Sequence, residues 1–217
     1  MATLPRRPPR DDLAPTIVKE AETLFAERGF EATTMQEIAS RVGITAPGLY
    51  YYFPSKQSLL FEVLHTALAS LVAREESAVE AARLAGVTAQ LRAFGYAHVT
   101  FQIDEPEETA VYGSTFYGSK QMVNALTAEQ RARLKDLQDR SLNLLKGILR
   151  QGVEAGEFRI PDLTATAFAI LGIGEYVPAW FKRNGRLSSS DLGRLYSDLA
   201  VRIAGGEEPA PPERPTP

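Results

Sequence analysis

Apolar residues recur every three or four positions along almost the whole of this chain, and that spacing limits the fold to packed helices. No stretch alternates apolar and polar residues for long enough to predict a half-buried strand. Glycine, proline and helix-capping residues divide the pattern into about nine segments. The sequence therefore predicts an all-α protein.

Composition narrows the classes of protein further. The 217 residues, 44% of them hydrophobic, suit one small and one larger domain. The absence of cysteine excludes disulfides, thiolate zinc sites and a cysteine nucleophile. A formal net charge of -3 excludes a uniformly basic coat for nucleic acid, but DNA affinity depends on the local field. Residues 1–11 and 205–217 are expected to be a disordered basic arm and a disordered tail.

The arm contains Arg6, Arg7 and Arg10 but no apolar segment, so we do not expect it to act as a secretory signal. These arginines are placed either to reach a DNA minor groove or to serve only as a solubilising tail. The longest apolar stretch, from Leu163 to Ile173, is too short to span a membrane.

Residues 12–57 have the pattern of three short helices. Thr34 and Glu37 have the spacing of a capping box, which predicts a helix start, and Gly43 is placed to end that helix. After a three-residue turn, Thr45 is placed to cap a third helix. Two short helices joined by a tight turn form a helix-turn-helix, whose second helix enters the DNA major groove by its N-terminal end.

The first turn of the third helix is small and smooth. Gly48 lowers helix propensity by about 1 kcal/mol relative to alanine, which close approach to DNA would explain; tight packing on a neighbouring helix is the alternative. Tyr50 and Tyr51 point away from the apolar face of this helix, where their hydroxyls are placed to meet phosphates or sugars.

Several short runs between positions 17 and 63 form a specific pattern. The runs are Gly29-Phe30, Thr34-Met35-Gln36-Glu37-Ile38-Ala39, Val42-Gly43-Ile44-Thr45 and Leu49-Tyr50-Tyr51-Tyr52-Phe53-Pro54-Ser55-Lys56. Together they resemble the DNA-binding region of the TetR family of transcription regulators. The resemblance implies double-stranded operator DNA as a partner.

The resemblance also implies which residues meet the DNA: backbone phosphates at both ends of the motif, and bases at the first turn of the third helix. The expected contacts are Thr34, Thr45, Ala46, Pro47, Gly48, Tyr50, Tyr51 and Lys56. Relatives often have a lysine or another polar residue where Ala46 and Pro47 stand, and a histidine at Tyr51. We therefore expect apolar contacts with thymine methyl groups and shape readout to outweigh hydrogen bonds to bases.

A larger helical domain for effector binding and dimerisation is predicted for residues 58–204. A long helix from Ser55 to Arg83 joins it to the small domain, so the tilt of this helix is expected to set the spacing of the two recognition helices in a dimer. Five more helices are predicted, at Thr88–Ile103, Pro106–Met122, Thr127–Ala155, Asp162–Arg183 and Ser188–Ile203.

Aromatic residues and one histidine concentrate in the middle of this domain and indicate an effector pocket, with an ordinary hydrophobic core as the alternative. The candidates are Phe94, Tyr96, His98, Phe101, Tyr112, Phe116, Tyr117, Tyr176 and Trp180. The segment from Leu171 to Leu187 resembles the same region of TetR-type repressors of fatty-acid and steroid catabolism. That resemblance implies an acyl-CoA thioester as effector, with Lys120, Lys182 or Arg183 near its phosphates.

The last two helices have more apolar surface than one protomer can bury, which predicts a homodimer. The interface candidates are Phe168, Leu171, Leu192, Leu195, Tyr196 and Leu199. TetR relatives dimerise through a four-helix bundle of their last two helices. The alternative is that this surface packs only within one protomer.

The expected function is that of a cytoplasmic, nucleoid-associated repressor that a small apolar effector releases from its operator. We expect no catalytic residue, cofactor, metal or membrane contact. One alternative is a DNA-binding regulator without an effector response, and the other is a helical enzyme. His65 and His98 have neither the spacing of metal ligands nor that of catalytic partners, which argues against the enzyme.

Overall fold

The computed structural model of the chain describes residues 13–106, 111 and 124–206. These described residues form eight α-helices and no strand, which confirms the predicted all-α fold. In chain order the helices are α1 Leu13–Arg28, α2 Met35–Val42, α3 Ala46–Tyr52, α4 Lys56–Ala81, α5 Val87–Asp104, α6 Ala128–Glu154, α7 Leu163–Glu175 and α8 Ser189–Ile203.

The chain divides into two compact units. The first contains Met1–Leu68 and Glu107–Lys135, and the second contains Ala69–Pro106 and Asp136–Pro217. Helices α4 and α6 therefore contribute residues to both units. The sequence predicts a boundary between residues 57 and 58, whereas the compact units divide α4 after Leu68.

In the first unit, helix α1 buries one side. Ile17, Ala21 and Leu24 lie on that side and are almost inaccessible to solvent. Gly29 ends the helix with a φ of 82°, a left-handed conformation that glycine adopts without steric cost. The chain then turns so that the Phe30 ring lies edge-on to Phe25, with ring centroids 5.4 Å apart.

In the second unit, helices α5 and α8 approach each other at two glycines. A Cβ added to Gly95 would lie 3.4 Å from the Cα of Ser197, and one added to Gly193 would lie 2.7 Å from the Tyr96 ring. Small residues at these two positions therefore let the helices lie close together. The core of this unit includes Leu91, Phe94, Leu145, Leu149, Ala167, Ile170 and Val201.

Helix α7 is shorter than the sequence predicts. The expected helix runs from Asp162 to Arg183, but α7 ends at Glu175 and a 3-10 turn follows at Val177–Ala179. Pro178 has no amide hydrogen and disfavours helical geometry in the residue before it, so the α-helix cannot continue through it. Tyr176 and Trp180 consequently lie beyond the end of α7.

Three predicted segments fall mainly outside the described residues. They are the helix Pro106–Met122, the basic arm 1–11 and the tail 205–217. Among the described residues, no helix is both long and apolar enough to span a membrane.

Candidate nucleic-acid interface and effector region

A capping box starts helix α2. The Thr34 hydroxyl oxygen accepts a hydrogen bond from the Glu37 backbone N–H at 3.2 Å, and the Glu37 carboxylate accepts one from the Thr34 backbone N–H at 2.8 Å. The Thr34 hydroxyl also donates to this carboxylate at 2.8 Å. These bonds, led by the one from the Thr34 backbone, lower the pKa of Glu37. Both side chains therefore fix the start of the helix.

The turn after α2 has the geometry that a helix-turn-helix needs. Gly43 adopts a φ of 77°, and the Ile44 backbone N–H donates to the Ala39 carbonyl at 2.9 Å. The Thr45 hydroxyl then caps α3 by accepting from the Gly48 N–H at 3.3 Å. Leu49 of α3 is fully buried and anchors the inner side of the helix, while the first turn of α3 faces outward.

The outer surface of α3 combines a first turn of small residues with two exposed tyrosines. Tyr50 is 49% exposed and Tyr51 is 77% exposed, with the Tyr51 ring edge-on to Tyr52. A Cβ added to Gly48 would meet Thr45 Oγ1 at 3.2 Å and Ile44 Cβ at 4.0 Å. Both atoms belong to the preceding turn, so the described contacts do not support the idea that Gly48 serves packing on a neighbouring helix.

Lys56 has a different environment from the one expected of a phosphate contact. Its ammonium donates to the carbonyl oxygens of Phe30 at 2.7 Å, Glu31 at 3.2 Å and Thr33 at 2.9 Å. It also lies 4.4 Å from the centroid of the Phe30 ring. An ammonium has three N–H donors, and these three carbonyls use all of them. In this structure Lys56 therefore holds the loop before α2, and its contact with a DNA phosphate stays a prediction.

The predicted effector residues lie in several environments. Phe94 is fully buried in the core of the second unit, which supports the core alternative for this residue. Phe101 is also buried, and Tyr96 lies against Gly193. Tyr176 and Trp180 are 70% and 46% exposed around the 3-10 turn. Tyr112, Phe116, Tyr117 and the cation Lys120 lie outside the described residues.

His98 is buried and pairs with a carboxylate that sequence reasoning missed. Its Nδ1 lies 2.8 Å from Oε1 of Glu75, which is itself fully buried in α4. The sequence pattern does single out Glu75, because this carboxylate interrupts the apolar stripe formed by Leu68, Val72 and Val79.

The exposed apolar surface of α7 and α8 includes only some of the predicted interface residues. Phe168 is 57% exposed and Leu195 is 45% exposed, while Leu171, Tyr196 and Leu199 are half-buried. Leu192 does not belong to this exposed surface. Leu192 is fully buried within the protomer, in a cluster with Val99, Ile103 and Val177, because it lies on the side of α8 that faces α5 and the 3-10 turn.

No group of three or more histidine, cysteine or acidic side chains suited to a metal ion occurs in the part of the chain that the structure describes.

Two family models match this chain. Residues 17–63 match the model for bacterial regulatory proteins of the tetR family, and residues 84–204 match the model for the tetracyclin repressor-like C-terminal domain. The second match alone covers more than half of the chain.

Individual relatives match over nearly the whole length. The transcriptional repressor KstR2 of Mycolicibacterium smegmatis is 30% identical over 204 residues, covering 90% of this chain and 89% of that protein. A crystal structure of a tetR-family regulatory protein from Rhodococcus RHA1 superposes with a TM-score of 0.78 at 26% identity, covering 91% of this chain and 99% of the other. The structure of AibR in complex with isovaleryl coenzyme A and operator DNA has a TM-score of 0.74 at 26% identity, with coverages of 86% and 96%.

Proposed function

The chain belongs to the TetR family and is a DNA-binding transcriptional regulator, and we propose that it acts as a homodimeric repressor released by an acyl-CoA thioester. Two α3 helices enter successive major grooves, separated by about 34 Å, or one turn of DNA. Occupancy of the operator then blocks transcription. The proposed site of action is the cytoplasm, at the nucleoid, and the proposed function involves no catalysis.

The observation that carries this proposal is the outward surface of the capped helix α3. Ala46, Pro47 and Gly48 bring the backbone close to the bases, where apolar contact can read thymine methyl groups. Tyr50 and Tyr51 are exposed enough for their hydroxyls to meet phosphates on either side. Thr34 and Thr45, at the starts of α2 and α3, are the remaining proposed phosphate contacts.

The proposed dimer interface is the exposed face of α7 and α8. Phe168 lies on α7 among the small, exposed residues Ala165, Ala169 and Gly172, at the spacing of one helix face. A large side chain surrounded by small ones can fit into the same face of a second copy related by a twofold axis. Leu195 and the half-buried Leu171, Tyr196 and Leu199 are proposed to extend this face.

The acyl-CoA proposal is supported by the AibR complex with isovaleryl coenzyme A. In this chain, Tyr176 and Trp180 expose aromatic surface suited to an acyl group, and Lys182 and Arg183 follow them with exposed positive charge suited to phosphates. Tyr96, His98 and Phe101 are proposed to bound the same region from α5. A coupling of about 1–3 kcal/mol between effector and operator would give a 5- to 150-fold loss of DNA affinity.

The experiment that tests the proposal is a titration of the purified protein on the DNA upstream of its own gene, with scrambled DNA of equal length as control. We expect specific binding that a short-chain or steroid-derived acyl-CoA releases and that free coenzyme A does not. The double variant Tyr50→Phe, Tyr51→Phe keeps both rings and removes both hydroxyls. We expect it to bind at least about tenfold more weakly, since a hydrogen bond to a charged group contributes about 1.5–3 kcal/mol.

Each outcome bears on a different part of the proposal. Equal affinity for upstream and scrambled DNA would show that autoregulation is wrong. Specific binding that no thioester weakens would favour the regulator without an effector response.

A further inference from the structure

A buried carboxylate and a buried imidazole connect three helices of the second unit. Glu75 of α4 is 0% exposed and His98 of α5 is 3% exposed, and the His98 Nδ1–H donates to Glu75 Oε1 at 2.8 Å. The Phe94 ring stacks on the imidazole, with centroids 5.9 Å apart and an angle of 10° between the planes. The other edge of the imidazole faces α7, where a Cβ on Gly174 would lie only 2.7 Å from His98 Cδ2.

Burying these two polar side chains costs free energy that apolar side chains at the same positions would not. The second carboxylate oxygen of Glu75, Oε2, is buried and has no hydrogen-bond partner among the described residues. A buried polar atom without a partner destabilises a fold, and apolar residues of similar size are often at least as stabilising as a buried pair. A leucine at position 75 would complete the apolar stripe of α4. The pair therefore calls for an explanation other than stability.

The charged groups near His98 favour its protonated form. Burial opposes this form, but the hydrogen bond and charge of Glu75 and the charge of Glu175 on α7 outweigh burial and raise the pKa of His98. The other ring nitrogen, Nε2, is buried and has no hydrogen-bond partner among the described residues. Two ion pairs involve other charged residues of α4 and α5. Arg74 and Asp104 are 3.2 Å apart, and Arg92 of α5 pairs with Asp198 of α8.

We propose that Glu75 and His98 form a polar latch that holds α4 to α5 and α7, and that the effector releases DNA by opening this latch. The second half of this inference rests on the proposed function. Helix α4 runs without interruption from Lys56, just after the recognition helix, to Ala81, so a change in how residues 69–81 are held is passed along a single helix. In this proposal the closed latch is the DNA-binding state, and separation of Glu75 from His98 gives the released state. Glu75 and His98 are thus positioning residues.

The first test uses the full chain without DNA. Glu75→Gln keeps the shape and removes the charge, and Glu76→Gln is the matched control, because Glu76 is the next residue of α4 and forms an exposed ion pair with Arg140 at 2.8 Å. We expect hydrogen exchange of backbone amides in residues 69–81 to be at least about tenfold faster in Glu75→Gln than in the wild type, and unchanged in Glu76→Gln.

The second readout is histidine NMR, which is simple because the chain has only two histidines. In a His65→Gln background, we expect His98 to titrate above the ordinary histidine pKa of about 6.5, and below it once Glu75→Gln leaves burial as the main influence. A pKa raised by folding stabilises the folded state at low pH, and this contribution is lost as the pH rises through the folded-state pKa. The pH dependence of stability from His98 should therefore reverse sign in Glu75→Gln.

The DNA readout tests the coupling. We expect Glu75→Gln to raise the operator Kd at least fivefold, and Glu76→Gln to change it less than twofold. Equal exchange in the two variants would overturn the latch, whatever the protein does with DNA. Faster exchange in Glu75→Gln with an unchanged operator Kd would overturn the coupling alone. A wild-type protein that binds neither upstream nor scrambled DNA would overturn the proposed function and the coupling with it, while the exchange result would still decide the latch.

Discussion

Gly174 shows how a single missing side chain determines where a functional group can lie. The imidazole of His98 occupies the space that a Cβ at position 174 would need, and Val99 Cγ2 lies 3.2 Å from that same point. Glycine inside a helix costs about 1 kcal/mol relative to alanine. The absence of a side chain at position 174 allows His98 to contact Glu75 while its ring packs against α7.

We predict that Gly174→Ala destabilises the protein by about 1–3 kcal/mol, because the added methyl group must displace His98, whatever alanine gains in helix propensity. Gly147→Ala in α6 is the control, since nothing lies within 4 Å of its added Cβ, and it should stabilise by up to about 1 kcal/mol. Urea unfolding monitored by circular dichroism gives both free energies. Stabilisation by both variants would contradict the close contact between His98 and α7.

At the scale of single elements, helix starts could be predicted from the sequence and helix ends less well. The capping boxes at Thr34 and Ser188 and the cap at Asp162 depend on residues three positions apart, so a sequence window contains all the information. Lys56 is different. Its carbonyl partners lie 23 to 26 residues earlier in the chain, and only the fold brings them to the start of α4.

We predict that Lys56→Met lowers the free energy of unfolding by about 1–3 kcal/mol, because three backbone carbonyls lose a charged donor. The loop that leads into α2 should loosen, and operator affinity should fall by the same factor at every ionic strength. Lys182→Met, on an exposed segment, is the control and should change stability by less than about 0.5 kcal/mol. Denaturant titrations measure the first effect. An unchanged stability together with a flatter salt dependence would restore Lys56 as a phosphate contact.

At the scale of the whole molecule, the fold class and the DNA-binding motif follow from the sequence, whereas the effector region does not. The residues of the DNA-binding motif follow one another in the sequence, and their apolar positions recur at regular intervals. Glu75 and His98 are 23 residues apart on different helices, and their pairing depends on how α4, α5 and α7 pack. Local patterns carry no signal for such a contact except that a carboxylate interrupts an apolar stripe.

The ion pairs of basic residues in the first unit bear on how the protein neutralises DNA phosphates. Arg28 of α1 and Arg41 of α2 are in ion pairs with Glu37, Glu20 and Glu27, and Lys56 is bound to carbonyls. We therefore predict that Arg6, Arg7 and Arg10 of the arm supply much of the phosphate neutralisation.

We expect the plot of log Kd against log salt to have a slope of about 5 to 8, corresponding to roughly six to nine neutralised phosphates per dimer. Replacing the three arm arginines by glutamine should reduce that slope to about 3 or less. Fluorescence anisotropy between 50 and 200 mM salt, about the range over which such contacts are compared, measures both slopes. An unchanged slope in the triple variant would assign the arm to solubility.

The small first turn of α3 has a consequence for how this regulator can diversify. Leu49, buried beneath the helix, and the Thr45 cap hold α3 in place, while the side chains of Ala46 and Pro47 contribute little to the core. If Ala46 and Pro47 contact the bases as proposed, they influence operator choice with little effect on folding. A gene duplicate could acquire a new set of target promoters through one or two substitutions at these positions without passing through an unstable intermediate.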